Sequence, residues 1–152
     1  MSYKLNWEVK KFKELSPTEL YAILQLRNEV FVVEQNCVYP DLDNKDQSSF
    51  HLMAWNESKL IAYTRLIPPG IAYPLASIGR VVNSPAARGL GIGIELMQRS
   101  ILECNRLFGN GSIQIGAQLY LKNFYKSLGF NPSGEVYLED GIEHVEMTRT
   151  VN

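Results

Sequence analysis

The sequence predicts an α+β fold, a central mixed sheet covered by helices, from three observations. Apolar and polar residues alternate near both ends of the chain. Three other segments carry apolar residues at three- and four-residue spacing, and short turns marked by glycine or charged residues interleave the two patterns.

Leu5, Trp7 and Val9 alternate with Asn6, Glu8 and Lys10, the period of a short strand with one buried face. Ser16-Pro17-Thr18-Glu19 then places a hydroxyl at an N-cap, proline at the first helical position and a glutamate three residues past the serine. Leu20, Ile23, Leu24, Arg27 and Phe31 continue at helical spacing, so one helix is expected from Pro17 to Glu34. His51 to Trp55 and Leu60 to Ile67 flank the polar Asn56-Glu57-Ser58-Lys59, a hairpin pattern, and Leu75 to Val82 supplies a further strand. Ile94, Met97, Ile101, Cys104 and Phe108 form an amphipathic stripe that Gly109-Asn110-Gly111 ends. Ser112 to Gly116 reads as a strand and Gln118 to Leu128 as another amphipathic helix, stopped by Gly129. Strands near Glu135 to Leu138 and Glu143 to Thr150 close the chain through Glu139-Asp140-Gly141.

No repeat or linker divides the 152 residues, and 45% hydrophobic content suffices for one core, so a single domain over 1–152 is expected, with its core at about 7–150. A formal net charge of −1 gives no basic field for a phosphate backbone, which argues against nucleic acid as a partner. No apolar run approaches the roughly 18 residues of a membrane span, and the first residues lack the pattern of an export signal, so a soluble, cytoplasmic protein is expected. Cys37 and Cys104 lack CxxC spacing and His51 lies far from His144, so neither a metal nor a disulfide is expected. The sequence leaves oligomeric state open, a homodimer included.

Between the strand ending at Val82 and the next helix, Gly89, Gly91 and Gly93 alternate with Leu90 and Ile92. A backbone without Cβ can approach a ligand closely and aim successive N–H groups at it, while the helix that follows adds partial positive charge. That suits a phosphate or diphosphate, to which Arg88 adds a charge-assisted donor. The dinucleotide pattern GxGxxG fails at Ile94, and the P-loop pattern fails at Ile94-Glu95. A tight turn that only lets strand meet helix is the alternative reading of the segment.

Arg88, Gly91 and Gly93, at their spacing, resemble the signature of the GCN5-related N-acetyltransferase (GNAT) superfamily. Leu119 to Phe130, with its Phe124-Tyr125 and Gly129-Phe130, resembles that family's late helix. Arg27 to Cys37, Tyr39, Asp41, Asp43, Val136 to Ile142 and His144 extend the likeness, to the ElaA-like subfamily, across nearly the whole chain. The resemblance implies a GNAT fold, a mixed, mostly antiparallel sheet of about seven strands flanked by about four helices. It implies an acyl-CoA-dependent N-acetyltransferase with acetyl-CoA as cosubstrate, whose diphosphate rests on Arg88, Gly89, Leu90, Gly91, Ile92 and Gly93. The acyl arm would lie against Val81, Val82 and Asn83, on a strand that splays from its neighbour. Gln118, where many relatives carry asparagine, and Asn123 are further expected cofactor contacts. The acceptor is a small-molecule or protein amine that the resemblance leaves unidentified.

Acetyl transfer to an amine needs a neutral amine, a donor for the charge growing on the carbonyl oxygen, and a proton for the leaving thiolate. Tyr125 suits the last, since a phenol stays protonated at neutral pH and the family's general acid occupies this position; an aromatic pair packing one helix face is the alternative reading of Phe124-Tyr125. A backbone N–H of Val81 or Val82 suits the second demand. For the base, Ser112 to Gly116 offers no acid where many relatives place a glutamate. Glu34 and His51 are the candidates, and both, with Arg80 and His144, are candidate acceptor contacts; His51 is expected at a strand edge, titrating near neutral pH. Asp41, Asp43 and Asp46, with Glu34 nearby, could attract a cationic amine through long-range electrostatics, but a solvated acidic loop is the favoured reading. The missing acid keeps a second reading open, a CoA-binding sensor or interaction module of the same fold with weak turnover.

Overall fold

Seven antiparallel strands form two sheets, ordered β1-β2-β3-β4 and β5-β7-β6, in a computed structural model that describes residues 4–151. The strands are β1 (Asn6–Lys11), β2 (Phe50–Asn56), β3 (Lys59–Ile67), β4 (Ser77–Asn83), β5 (Ile113–Gln118), β6 (Asn131–Glu139) and β7 (Ile142–Arg149). The helices are α1 (Pro17–Arg27), α2 (Ile92–Phe108) and α3 (Lys122–Ser127).

The expected single sheet is therefore divided. Its halves meet at a parallel bridge between Ala76 and Ile113, where the Gln114 N–H donates to the Ala76 carbonyl at 2.9 Å. Past that bridge no ladder joins β4 to β5 among the described residues, and the two strands open as a V toward Asn83 and Gln118. A bulge in β4 contributes. Tyr63 faces Val82 but Arg65 faces Gly79, so Thr64 alone spans Arg80 and Val81, and Arg80 adopts a left-handed φ of 51°. A bulge bends its strand, sharpens the local twist and leaves the extra residue outside the ladder.

α1 begins as its capping box dictates. Ser16 Oγ accepts the Glu19 N–H at 3.0 Å while the Glu19 carboxylate accepts the Ser16 N–H at 2.8 Å, an arrangement worth about 1 kcal/mol. The helix expected to reach Glu34 changes character at Asn28: residues Asn28–Glu34 are π-helical, and beyond them Gln35 N–H reaches the Val30 carbonyl and Cys37 N–H the Val32 carbonyl, each five residues back. The wider turn keeps Arg27 and Val30 buried and leaves Val33 and Glu34 exposed. The helix expected from Gln118 is also shorter, because Gln118 pairs with His144 as the last residue of β5 and a 3-10 turn, Leu119–Leu121, precedes α3.

α2 covers one face of both sheets, packing Leu96, Met97, Ile101 and Cys104 against Leu52, Leu66, Ile78, Ile113 and Ile115. α1 covers the opposite face, with Ile23, Leu26 and Val30 against Met53, Tyr63 and Val82. Thr64 and Ser100 hydroxyls bond at 2.8 Å inside the α2 layer. The V is thus an opening in a sheet that is packed on both sides.

Candidate active site

A 3-10 turn, Pro85–Ala87, leads from the open end of β4 into the glycine segment. Gly89 and Gly91 have φ of 84° and 75°, a region that L side chains rarely adopt, and nothing lies within 4 Å of where their Cβ atoms would be. The turn is therefore open to a ligand on its outer side. The N–H groups of the first turn of α2, a helix of 17 residues, end there without helical partners. A Cβ on Gly93 would come 3.2 Å from Asn83 Nδ2 and 4.0 Å from Phe124 Cζ, so this glycine lets the turn, β4 and α3 meet. Asn83 Oδ1 is buried without a hydrogen-bond partner, an acceptor still to be satisfied at the mouth of the V.

Tyr125, buried at 6% exposure, packs edge-on against Phe124 and Phe130 with centroid distances of 5.2 and 6.0 Å. Burial pushes its phenol up to about 12, so the hydroxyl keeps its proton throughout the neutral range. The packing of the aromatic pair is what keeps the phenol protonated. Asn123, on the same helix, is exposed.

The two base candidates are placed differently from expectation. His51 is not at an accessible edge: it is 0% exposed, its Nε2–H donates to the Asp46 carbonyl at 2.9 Å, and its Nδ1 accepts from the Tyr63 hydroxyl at 2.6 Å. Burial holds its pKa below the usual imidazole value. Ladder register sets it opposite Arg65, which faces Gly79 rather than the open end of β4 at Asn83. Its lone pair is already used, far from the glycine turn. Glu34 does reach the turn, but as a partner of Arg88, whose Nη1 and Nη2 lie 2.7 and 2.5 Å from the two carboxylate oxygens. That contact holds the Glu34 carboxyl below the ordinary range.

The acidic loop is not solvated. Arg27, 0% exposed, holds Asp41 at 2.8 Å and Asp46 at 2.7 Å. Arg65 grips Asp43 through two nitrogens at 2.8 Å and shares Asp46 at 2.9 Å. Arg80, projecting from the bulge, holds Asp41 at 2.8 Å and Asp43 at 3.3 Å. Three cations thus neutralise three anions, and the loop has no surplus charge for steering an amine. The arginines lower the Asp43 and Asp46 carboxyls against the upward push of burial. Gln118 exchanges amide contacts with Gln35, at 3.3 and 3.5 Å, which ties the end of β5 to the end of the π segment. His144 stacks on Tyr137 and donates from Nδ1 to the Ile142 carbonyl at 2.7 Å.

A family model described as "Acetyltransferase (GNAT) domain" matches residues 13–151. The chain belongs to the GNAT acetyltransferase family. It is 42% identical over 149 residues to protein ElaA of Escherichia coli strain K12, covering 97% of each chain. The crystal structure of Escherichia coli ElaA superposes with a TM-score of 0.89 at 41% identity, over 95% of this chain and 99% of that one. The crystal structure of an acyl-CoA N-acyltransferase from Pseudomonas aeruginosa gives a TM-score of 0.93 at 45% identity, over 97% of this chain and all of that one. The fold is accordingly the GNAT fold, and its features suit a CoA cosubstrate: an open glycine turn at a long helix N-terminus, a splayed strand pair, and the unsatisfied Asn83 acceptor between them.

In this GNAT chain a further group of residues escaped the sequence reading. Gly116 on β5 stands directly opposite Glu146 on β7, and a Cβ there would lie 2.8 Å from the Tyr73 hydroxyl and 2.9 Å from the Tyr137 hydroxyl. A glycine inside a strand is itself a sign of close approach by another group. That was the available signal; what approaches Gly116 comes from 43 residues before it and 21 after, which spacing cannot reveal.

Proposed function

We propose that the chain is an N-acetyltransferase that moves an acetyl group from acetyl-CoA to a primary amine by direct attack in a ternary complex. One observation carries the reading: the β4/β5 opening has the glycine turn at its mouth and a buried, protonated tyrosine on the helix packed beside that turn. Arg88, Gly89, Leu90, Gly91, Ile92 and Gly93 would hold the diphosphate, and Val81, Val82 and Asn83 would line the acyl arm, supported by Gln118 and Asn123. When bound, the cosubstrate supplies an activated thioester carbonyl. The N–H left outside the ladder at the β4 bulge is suited to the carbonyl oxygen, where a preorganised donor is worth roughly 3 kcal/mol. Tyr125 would give its proton to the departing sulfur. Arg80 and His144 flank the acceptor side, and the setting is a cytoplasmic one where acetyl-CoA is available.

The experiment is thiol release from acetyl-CoA with a panel of amines and mass detection of the product, alongside CoA binding by wild type and Tyr125→Phe. Acetylated product with wild type and its near loss with Tyr125→Phe, at equal CoA affinity, is the expected result. The engagement of Glu34 by Arg88 and of His51 by Tyr63 and Asp46 favours a second reading, a CoA-binding sensor or interaction module with weak turnover. CoA binding without product from any amine would select it.

A further inference from the structure

A primary amine is an ammonium ion at neutral pH and must lose a proton before it can attack a carbonyl carbon. Most acids around the opening are already committed: Glu34 to Arg88, Asp41 and Asp46 to Arg27, and Asp43 to Arg65. Glu146 differs. It is half-buried, pairs with no cation among the described residues, and is met by a neutral donor, Gln114 Nε2 at 3.4 Å.

Its position follows from register. Ile113, Ile115 and Ala117 of β5 are buried in the core layer shared with α2, so Gln114, Gly116 and Gln118 face the other way, on the side where Gln118 meets Gln35. Cross-strand partners share a face, which puts Glu146 beside Gly116 and His144 beside Gln118. Gly116 lies three residues past the bridge at Ile113, within the opening of the V. Above it the Tyr73 hydroxyl, from the β3–β4 connection, and the Tyr137 hydroxyl, from β6, come together over β5, each within 3 Å of where a Gly116 Cβ would lie. Gln114 from β5 contacts Glu146, the Tyr73 and Tyr137 hydroxyls lie over the Gly116 that stands opposite it, and His144 shares its face two residues before it on β7. Burial and the nearby Glu146 and Glu139 push both phenols up, so they stay neutral and able to pass a proton.

We propose that Glu146 takes the proton of the acceptor's ammonium group through the Tyr73–Tyr137 hydroxyl pair that spans β5 over Gly116. The assignment rests on the acetyltransferase reading above. The ammonium gives one proton to a phenol oxygen while the phenol's own proton passes to Glu146 through a water molecule beside Gly116. The free amine then forms the C–N bond at the thioester carbonyl carbon, the C–S bond breaks, and the thiolate sulfur takes the Tyr125 proton. The surplus proton on the new amide nitrogen restores Tyr125, and Glu146 releases its proton to water. Glu146 acts here through the phenols, as a positioning residue and proton sink.

The test compares Glu146→Gln, Tyr137→Phe and the control Glu143→Gln, an exposed residue of the same strand. Thiol release from acetyl-CoA is measured with spermidine, glucosamine and a lysine peptide from about pH 6 to 10, with CoA binding followed by calorimetry. Glu146→Gln should bind CoA like the wild type, lose about a hundredfold of kcat/KM at neutral pH, and recover about tenfold per pH unit as the amine deprotonates unaided. Tyr137→Phe should show a smaller loss of the same shape, and Glu143→Gln the wild-type profile. A Glu146→Gln profile that matches the wild type, or is lowered equally at every pH, or comes with lost CoA binding, overturns the proposal. A wild type that binds CoA but acetylates none of the three amines overturns the transferase reading together with this one.

Discussion

The guanidinium of Arg88 closes on the carboxylate of Glu34 with two parallel contacts, 2.7 and 2.5 Å, and so joins the glycine turn to the end of the π segment. A bidentate carboxylate occupies the same N–H groups that a diphosphate would use. Both side chains are more than two-fifths exposed, so the pair is screened by solvent and salt and holds the turn only weakly. Glu34→Gln should therefore tighten CoA binding by up to about fivefold, with the gain shrinking in high salt. Calorimetric titration at two ionic strengths checks this, and weaker binding by Glu34→Gln would show that the carboxylate does not compete.

Tyr125→Phe keeps the ring contacts with Phe124 and Phe130 and removes only the proton donor. The expected effect is a fall in kcat of about a hundredfold or more, with CoA affinity unchanged. Since burial pushes the phenol up to about 12, the wild type should also show no alkaline fall in rate from this group below that range. A pH profile of kcat beside a CoA titration separates the donor's loss from a packing defect.

Acid should destabilise the fold in two stages. His51 has a native pKa held below its reference of 6.5, so the unfolded chain takes up the proton first and stability falls as pH drops below that value. Asp43 and Asp46 are lowered from 3.8, so the stability they confer is present above about 4 and is lost as pH falls toward their native values. Urea denaturation at several pH values should give a shallow decline followed by a steep one. Asp46→Asn, which leaves Arg27 and Arg65 without their shared anion, should cost about 3–5 kcal/mol at neutral pH. A loss below 1 kcal/mol would mean that solvent replaces the missing charge.

Periodicity and turn chemistry made much of this molecule legible. The Ser16–Glu19 capping box, the α2 stripe from Ile94 to Phe108 and the closing hairpin are local patterns, and each lies where its residues predict. The GNAT family itself was legible in Arg88, Gly91, Gly93 and the Phe124-to-Phe130 segment. What escaped depends on partners distant in sequence. Asp43 looks like a loop anion until Arg65, 22 residues away, is seen to hold it. His51 reads as a strand-edge residue, yet Tyr63 across the hairpin closes it off. The change from α to π at Asn28 leaves the apolar spacing nearly intact, so period alone cannot register it.

Gly116 offers the sharpest separation of folding from chemistry. Its φ is not in the left-handed region, so alanine suits the backbone and should lower the entropy of the unfolded chain, a gain of roughly 0.5 kcal/mol. The added methyl, however, falls 2.8 Å from one phenol oxygen and 2.9 Å from the other, closer than real contacts allow, and the rigid rings must swing away to admit it. Gly116→Ala is therefore expected to unfold within about 1 kcal/mol of the wild type in urea. It should bind CoA equally well at the glycine turn and yet lose more than about tenfold in thiol release, with the Tyr73 and Tyr137 hydroxyls forced off β5. Should turnover survive intact, the phenol pair is only a packing feature of the second sheet and carries no proton.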